Sequence, residues 1–231
     1  MEKKENSNNN DSQIKSKQRV ADHGEVFTSR REVNAMLDLV KHETERIDSR
    51  FLEPACGDGN FLEEILKRKL NVVQSRYAKS QIEYERYSII ALSSIYGIDI
   101  LYDNVETCRE RLFGIFTHFY LKNYKKDIKP DYLTTAEFIL SRNILWGDAL
   151  SLKTPDVNEE PIVFSEWSAV NGSMIKRRDF TLDKLLYPRN AESDSLFSDL
   201  GEEAFIPEPI KEYPLTHYLK LGDYDTDELQ S

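Results

Sequence analysis

The sequence predicts an α/β chain built on a parallel sheet, and three observations carry that expectation. Helical and strand patterns alternate between residues 29 and 148. A glycine turn joins the first strand to the helix that follows it. Each strand also has an acidic residue at, near or just after its C-terminal end. At 231 residues there is room for one substantial domain with appendages, and for a core that needs no disulfide or metal support.

Residues 1–19 are polar and poor in apolar side chains, which predicts a disordered tail. Ser29 with Glu32 forms a capping box, and Val33, Met36, Leu37, Val40 and Ile47 follow at helical spacing. A strand is expected over residues 49–53. A helix is expected from Asn60 to Leu70, with Phe61, Leu62, Ile65 and Leu66 on one face. Residues 79–95 read as a helix that turns Ile82, Ile89 and Ile90 inward. The second strand is Tyr96-Gly97-Ile98-Asp99-Ile100. Helices over about 102–122 and 131–141 precede a third strand, Asn143-Ile144-Leu145-Trp146, which ends at Gly147-Asp148. This order suits parallel strands joined by crossover helices. Residues 161–167 and 173–176 then read as a hairpin turning at Asn171-Gly172, followed by a helical turn over 181–186. From Tyr187 the chain is acidic and broken at Pro188, Pro207, Pro209 and Pro214.

The segment from Phe51 to Leu62 carries most of the chemistry. Gly57 and Gly59 let a ligand approach the backbone and tolerate left-handed angles. The helix behind them offers unpaired N–H groups. Glu53-Pro54 places a carboxylate beside the turn, which suits a cationic or donor-rich ligand better than a pyrophosphate. A dinucleotide site would have a third glycine at position 62, where leucine stands. These features point to S-adenosylmethionine, with its zwitterionic amino acid end and positive sulfonium. Asp99 is placed to accept from two ribose hydroxyls, and Asp148 from an exocyclic amine. In an open parallel sheet all three features lie outside the carboxyl ends of the strands.

Charge and composition narrow the classes. A net charge of −10 argues against this chain alone wrapping a nucleic acid. Residues Tyr187 to Ser231 hold eleven acidic against three basic side chains, so the rest of the chain is nearly neutral. Cys56 and Cys108 are too few for a disulfide framework. With no signal peptide and no apolar run long enough to span a bilayer, they lead us to expect a reduced, cytoplasmic protein and no membrane partner. His23, His42, His118 and His217 share no metal-ligand spacing, so no metal is expected. Lys176-Arg177-Arg178 reads as a solvated basic turn, and the aromatic run over residues 113–124 as helix core.

Residues 51–62 resemble motif I of the gamma-class N6-adenine DNA methyltransferases, usually Asp-Pro-Ala-Cys-Gly-Ser-Gly-Asn-Phe-Leu. Glu53 stands where that motif has Asp, and Asp58 where it has Ser. Val26-Phe27-Thr28-Ser29-Arg30 resembles motif X, which covers the methionine end of the cofactor. Tyr96 to Ile100 is similar to motif II, and Asn143 to Leu150 to motif III. The resemblance covers roughly residues 23–150 and continues more loosely through Phe164–Trp167 and Arg177–Phe180. It implies a Rossmann-like S-adenosylmethionine-dependent methyltransferase fold with an incomplete parallel sheet over residues 20–150. A β-hairpin insert over 151–186 and an acidic partner-docking tail over 187–231 would follow. The implied cofactor-binding residues are Phe27, Thr28, Glu53, Pro54, Ala55, Cys56, Gly57, Gly59, Asn60, Phe61, Asp99, Ile100, Asp148 and Ala149.

One departure decides the functional expectation. The family holds the target amine with Asn-Pro-Pro-Tyr or Asp-Pro-Pro-Tyr after its fourth strand. Here no two prolines are adjacent, and no residue is assigned a catalytic role. The expected function is therefore the S-adenosylmethionine-binding subunit of a split adenine-N6 DNA methyltransferase of a restriction-modification or defence system. A second subunit would supply the catalytic motif and target recognition, and DNA would be met through that complex. The unfinished sheet and the tail are the expected docking elements. The alternatives are a non-catalytic, methyltransferase-like regulator of a restriction complex and a small methyltransferase with a non-DNA substrate.

Overall fold

A computed structural model describes residues 28–186 and 207–223. Phe27, the expected disorder of residues 1–19 and much of the acidic tail lie outside the described residues. The first helix, α1 (Arg30–Asp38), begins at the anticipated capping box: Ser29 accepts from the Glu32 N–H, and the Glu32 carboxylate accepts from the Ser29 N–H at 3.0 Å. The pattern that pointed to further helix instead breaks at Leu39 into a four-residue turn, α2 (Lys41–Thr44). Val33, Leu37 and Ile47 are buried, whereas Met36 and Val40 face out.

Three short strands follow, β1 (Phe51–Glu53), β2 (Ile95–Asp99) and β3 (Ile144–Trp146). They form a parallel sheet in the order β1-β2-β3, with Glu53 aligned to Gly97 and Asp99 to Trp146. Four helices connect them: α3 (Asn60–Tyr77) and α4 (Gln81–Ser93) between the first two, α5 (Tyr102–Tyr124) and α6 (Pro130–Asn143) between the last two. Both connections step across the sheet in the same direction. Right-handed crossovers of that kind place their helices on the same face. Accordingly α3 to α6 share one apolar core with Ile95 and Ile144. The opposite face carries a smaller cluster, in which Tyr96 and Ile98 pack against Ile162, Phe164 and Leu182.

That second cluster comes from an antiparallel sheet. Strands β4 (Val163–Ala169) and β5 (Met174–Thr181) pair as the expected hairpin, with Gly172 at φ +60° in the turn. A short helix α7 (Leu182–Leu186) follows. Strands β6 (Lys211–Glu212) and β7 (Thr216–His217) then add to β5. A 3₁₀ turn over Tyr218–Asp223 packs on α6, where Thr135 donates to the Tyr218 carbonyl at 2.7 Å. Residues 207–223, expected as part of a docking tail, are thus held against the chain's own fold.

Two sequence expectations are corrected by packing. Ile89 is buried on α4 and Ile90 partly so, as expected, but Ile82 is exposed, and Tyr84, Glu85 and Ser88 complete the inward face. Burial of Glu85 is possible because four donors meet its carboxylate: Gln81 and the Tyr120 hydroxyl at one oxygen, Lys129 and the Tyr218 hydroxyl at the other. Lys176-Arg177-Arg178 is no solvated turn but the middle of β5. Arg177 is 4% exposed, pairs with Asp179 at 2.9 Å and lies over the Tyr213 ring. A further buried charge escapes pattern reading altogether. Lys69 on α3 donates to the Arg46, Ile47 and Ser49 carbonyls and to Ser94, tying the segment before β1 to the helix after it. Burial pushes its ammonium down to about 7.

Candidate functional site

The carboxyl ends of β1, β2 and β3 lie along one edge of the sheet, and the turn after β1 is held there by backbone geometry. The Cys56 N–H donates to the Ile98 carbonyl at 2.8 Å, extending the β1–β2 pairing by one bond. Gly57 (φ +53°) and Gly59 (φ +92°) then adopt left-handed angles, and Gly59 caps α3. Position 59 tolerates no side chain: a Cβ there would lie 2.7 Å from the Cys108 sulfur. Gly97 on β2 has a similar reason, since a Cβ would meet Leu62 at 2.9 Å and the Cys56 sulfur at 3.0 Å. Cys56 and Cys108 are buried free thiols. The Cys108 thiol and burial push the Cys56 thiol far up, so it is a packing group and not a nucleophile.

Asp99 closes β2 and is 8% exposed. One carboxylate oxygen accepts the Gly57 N–H at 2.8 Å; the other accepts the Leu101 N–H at 2.9 Å and the Asn104 amide at 3.1 Å. The residue expected to grip a ribose therefore binds the glycine turn to the start of α5. Glu53 is half-buried, and burial pushes its carboxyl upward against the lowering effect of a hydrogen bond from the Ala55 N–H. Pro54 and Ala55 are exposed next to it. In the first turn of α3 the earliest intrahelical bond comes from the Glu63 N–H, so the N–H groups of Asn60, Phe61 and Leu62 have no acceptor within the helix. Thr28 is half-exposed just before the α1 cap, and Arg30 shares a hollow of about 150 Å³ with Asn60, Glu63 and Glu64.

The third strand supplies a different kind of wall. Asp148 accepts the Leu150 N–H at 2.9 Å, and that bond holds its carboxyl below the ordinary value. With exposed Ile100 it lines a groove of about 360 Å³, shared with Ser151, Lys153, Asp156 and Glu159. Ala149 turns the other way, into the small cluster beneath the sheet. The Trp146 indole donates to the Ile100 carbonyl at 2.9 Å and meets the exposed Tyr102 ring edge-on. The anticipated residues at the strand ends thus fall into two parts, the turn with Asp99 and the groove with Asp148 and Ile100, while Ala149 joins neither.

Three side chains on α5 complete the turn and were not singled out from sequence. Asn104 holds Asp99, Cys108 packs under Gly59, and Arg111 binds Asp58 at 3.0 Å and Asn60 at 2.9 Å. Their spacing over residues 104, 108 and 111 puts them on one helical face, and that was the available signal. Among the described residues no group of three or more His, Cys, Asp or Glu could hold a metal ion, and no helix is long and apolar enough to cross a membrane. No family model, curated protein or solved structure matches the chain.

Proposed function

We propose that this chain is the S-adenosylmethionine-binding subunit of a split adenine-N6 DNA methyltransferase, folded as the first part of a Rossmann-like methyltransferase sheet. One observation carries the reading. The glycine turn that closes β1 is tied through the Gly57 N–H to the acid that closes β2, at the carboxyl edge of a parallel sheet.

The donor set is compatible with this cofactor. Glu53 is an acceptor-rich carboxylate in a half-buried place and suits an ammonium or a sulfonium. The first three N–H groups of α3, which have no acceptor among the described residues, suit a carboxylate. Asp99 retains acceptor capacity on the oxygen that, among the described residues, takes the Gly57 N–H alone, and Asp148 with Ile100 offers a polar and an apolar contact for a purine. Bound there, the cofactor would supply an electrophilic methyl group. The chain's own part is to orient it, because transfer to an amine depends on in-line placement more than on acid-base residues. The base-holding motif and target recognition are assigned to a second polypeptide. The test is co-expression with the product of the adjacent gene and an adenine methylation assay on DNA. Activity of the pair and not of either chain is expected; a pair no better than background rejects the split enzyme.

One observation favours a second reading, a non-catalytic regulator. Both Asp99 oxygens already accept protein hydrogen bonds, so the turn is complete without a ligand. Tight binding to a restriction enzyme, unchanged by Asp99→Ala, would support it.

A further inference from the structure

Arg111 on α5 spans the glycine at the head of α3. One guanidinium nitrogen donates to the Asp58 carboxylate at 3.0 Å and another to the Asn60 side-chain oxygen at 2.9 Å, so the residues on either side of Gly59 are tied to one cation. A planar guanidinium reaches two such acceptors at once in a fixed fork, which an ammonium does not. Asn60 is the first residue of α3, and its N–H lies with those of Phe61 and Leu62 among the groups that have no acceptor within the helix.

The acids around this helix start are unequally partnered. Glu63, in the first turn, is met by Lys67, by Arg30 at 4.0 Å and by Arg111 at 3.6 Å. Asp58 has Arg111 as its one cationic partner among the described residues. Both members of that pair are half-buried, so solvent screens them less than an exposed pair. With the guanidinium in place, the charge of Asp58 is cancelled. Without it, a full negative charge stands just before the open N–H groups and repels any carboxylate seated on them.

We infer that Arg111 is a positioning residue for the carboxylate end of the methyl donor. It cancels the charge of Asp58 and fixes Asn60, so that the start of α3 accepts an anion. The inference rests on the cofactor reading and adds to it the residue on which recognition of the amino acid end depends.

A purely structural role for Arg111 would act on every ligand of the turn alike. Decarboxylated S-adenosylmethionine keeps the adenosine, the sulfonium and the amine, and lacks only the carboxylate. The test is calorimetric titration of the full chain with each of the two ligands. Arg111→Gln is expected to weaken S-adenosylmethionine binding at least about tenfold and binding of the decarboxylated ligand by less than about threefold. Asp58→Asn is expected to bind S-adenosylmethionine at least as tightly as the parent, and added to Arg111→Gln it should recover most of the lost affinity. Equal weakening of both ligands, or no recovery in the double variant, overturns the inference while the cofactor reading stands. A parent chain that binds neither ligand rejects that reading, and the inference with it. If Arg111→Gln does not fold, Asp58→Asn alone decides: weaker S-adenosylmethionine binding overturns the inference, and equal or tighter binding upholds it.

Discussion

The two sides of the candidate site are built in different ways. On the turn side the side chains are held by the protein while the first N–H groups of α3 stay open: Asp99 accepts three hydrogen bonds, Arg111 holds Asp58 and Asn60, and Gly59 sits against Cys108 with no space for a methyl group. On the groove side Asp148 makes a local turn contact and otherwise faces a wide depression with Ile100. A tightly bonded loop presents fixed donors to a ligand but has little tolerance for change. An open groove has the reverse properties. Substitutions on the turn side should therefore register first as lost stability, and those on the groove side as lost affinity.

The largest effect is expected at Gly59. Gly59→Ala combines a left-handed backbone, a Cβ that collides with Cys108 and a helix start that cannot shift without breaking the Cys56–Ile98 pairing. A loss of about 2–4 kcal/mol is expected in chemical denaturation. A loss below about 1 kcal/mol would show that the turn can rearrange, and the contrast between the two sides would fail. Next comes Asp99→Ala, which leaves two backbone N–H groups and the Asn104 amide without their acceptor. About 2–3 kcal/mol is expected, with Asp99→Asn recovering part of it, because it keeps one acceptor oxygen.

Glu53 sharpens the comparison through pH. Burial raises its folded carboxyl pKa above the unfolded value, so the unfolded state ionises first. The associated stability is present below the unfolded value of about 4.5 and is lost as pH rises through the folded one. Glu53→Gln should therefore be more stable than the parent at pH 7, with the difference shrinking toward pH 4. Equal differences at both pH values would rule out burial of the carboxylate as the cause. Asp148 has the opposite sign: its lowered carboxyl contributes stability above the ordinary range that is lost as pH falls. Being half-exposed, it should matter least to folding. Asp148→Ala is expected to change stability by no more than about 0.5 kcal/mol while weakening S-adenosylmethionine binding at least about tenfold.

The same contrast explains what could be read from the sequence. The turn side was legible because glycines at 57 and 59, a strand before them and a helix after them leave few alternative conformations. The three strands, the hairpin and the capping box were legible for similar reasons of local pattern. What escaped was long-range and polar. Arg111 and Asn104 act on the turn from a helix more than forty residues away. Ile82 satisfied the helical pattern, yet α4 buries Glu85 instead, because Tyr120, Lys129 and Tyr218 are brought to it from three other elements. Arg177 looked like surface charge until Asp179 and Tyr213 enclosed it. Apolar periodicity does not encode such partners, since each buried charge depends on groups placed by the finished fold.

In the proposed function the glycine turn is a seat for the methyl donor. Isothermal titration calorimetry of the intact chain with S-adenosylmethionine tests it most directly, with Glu53→Gln as the companion variant. One-to-one binding, weakened at least about tenfold in the variant, is the predicted result. Absence of binding, or binding of equal strength in both proteins, would contradict it.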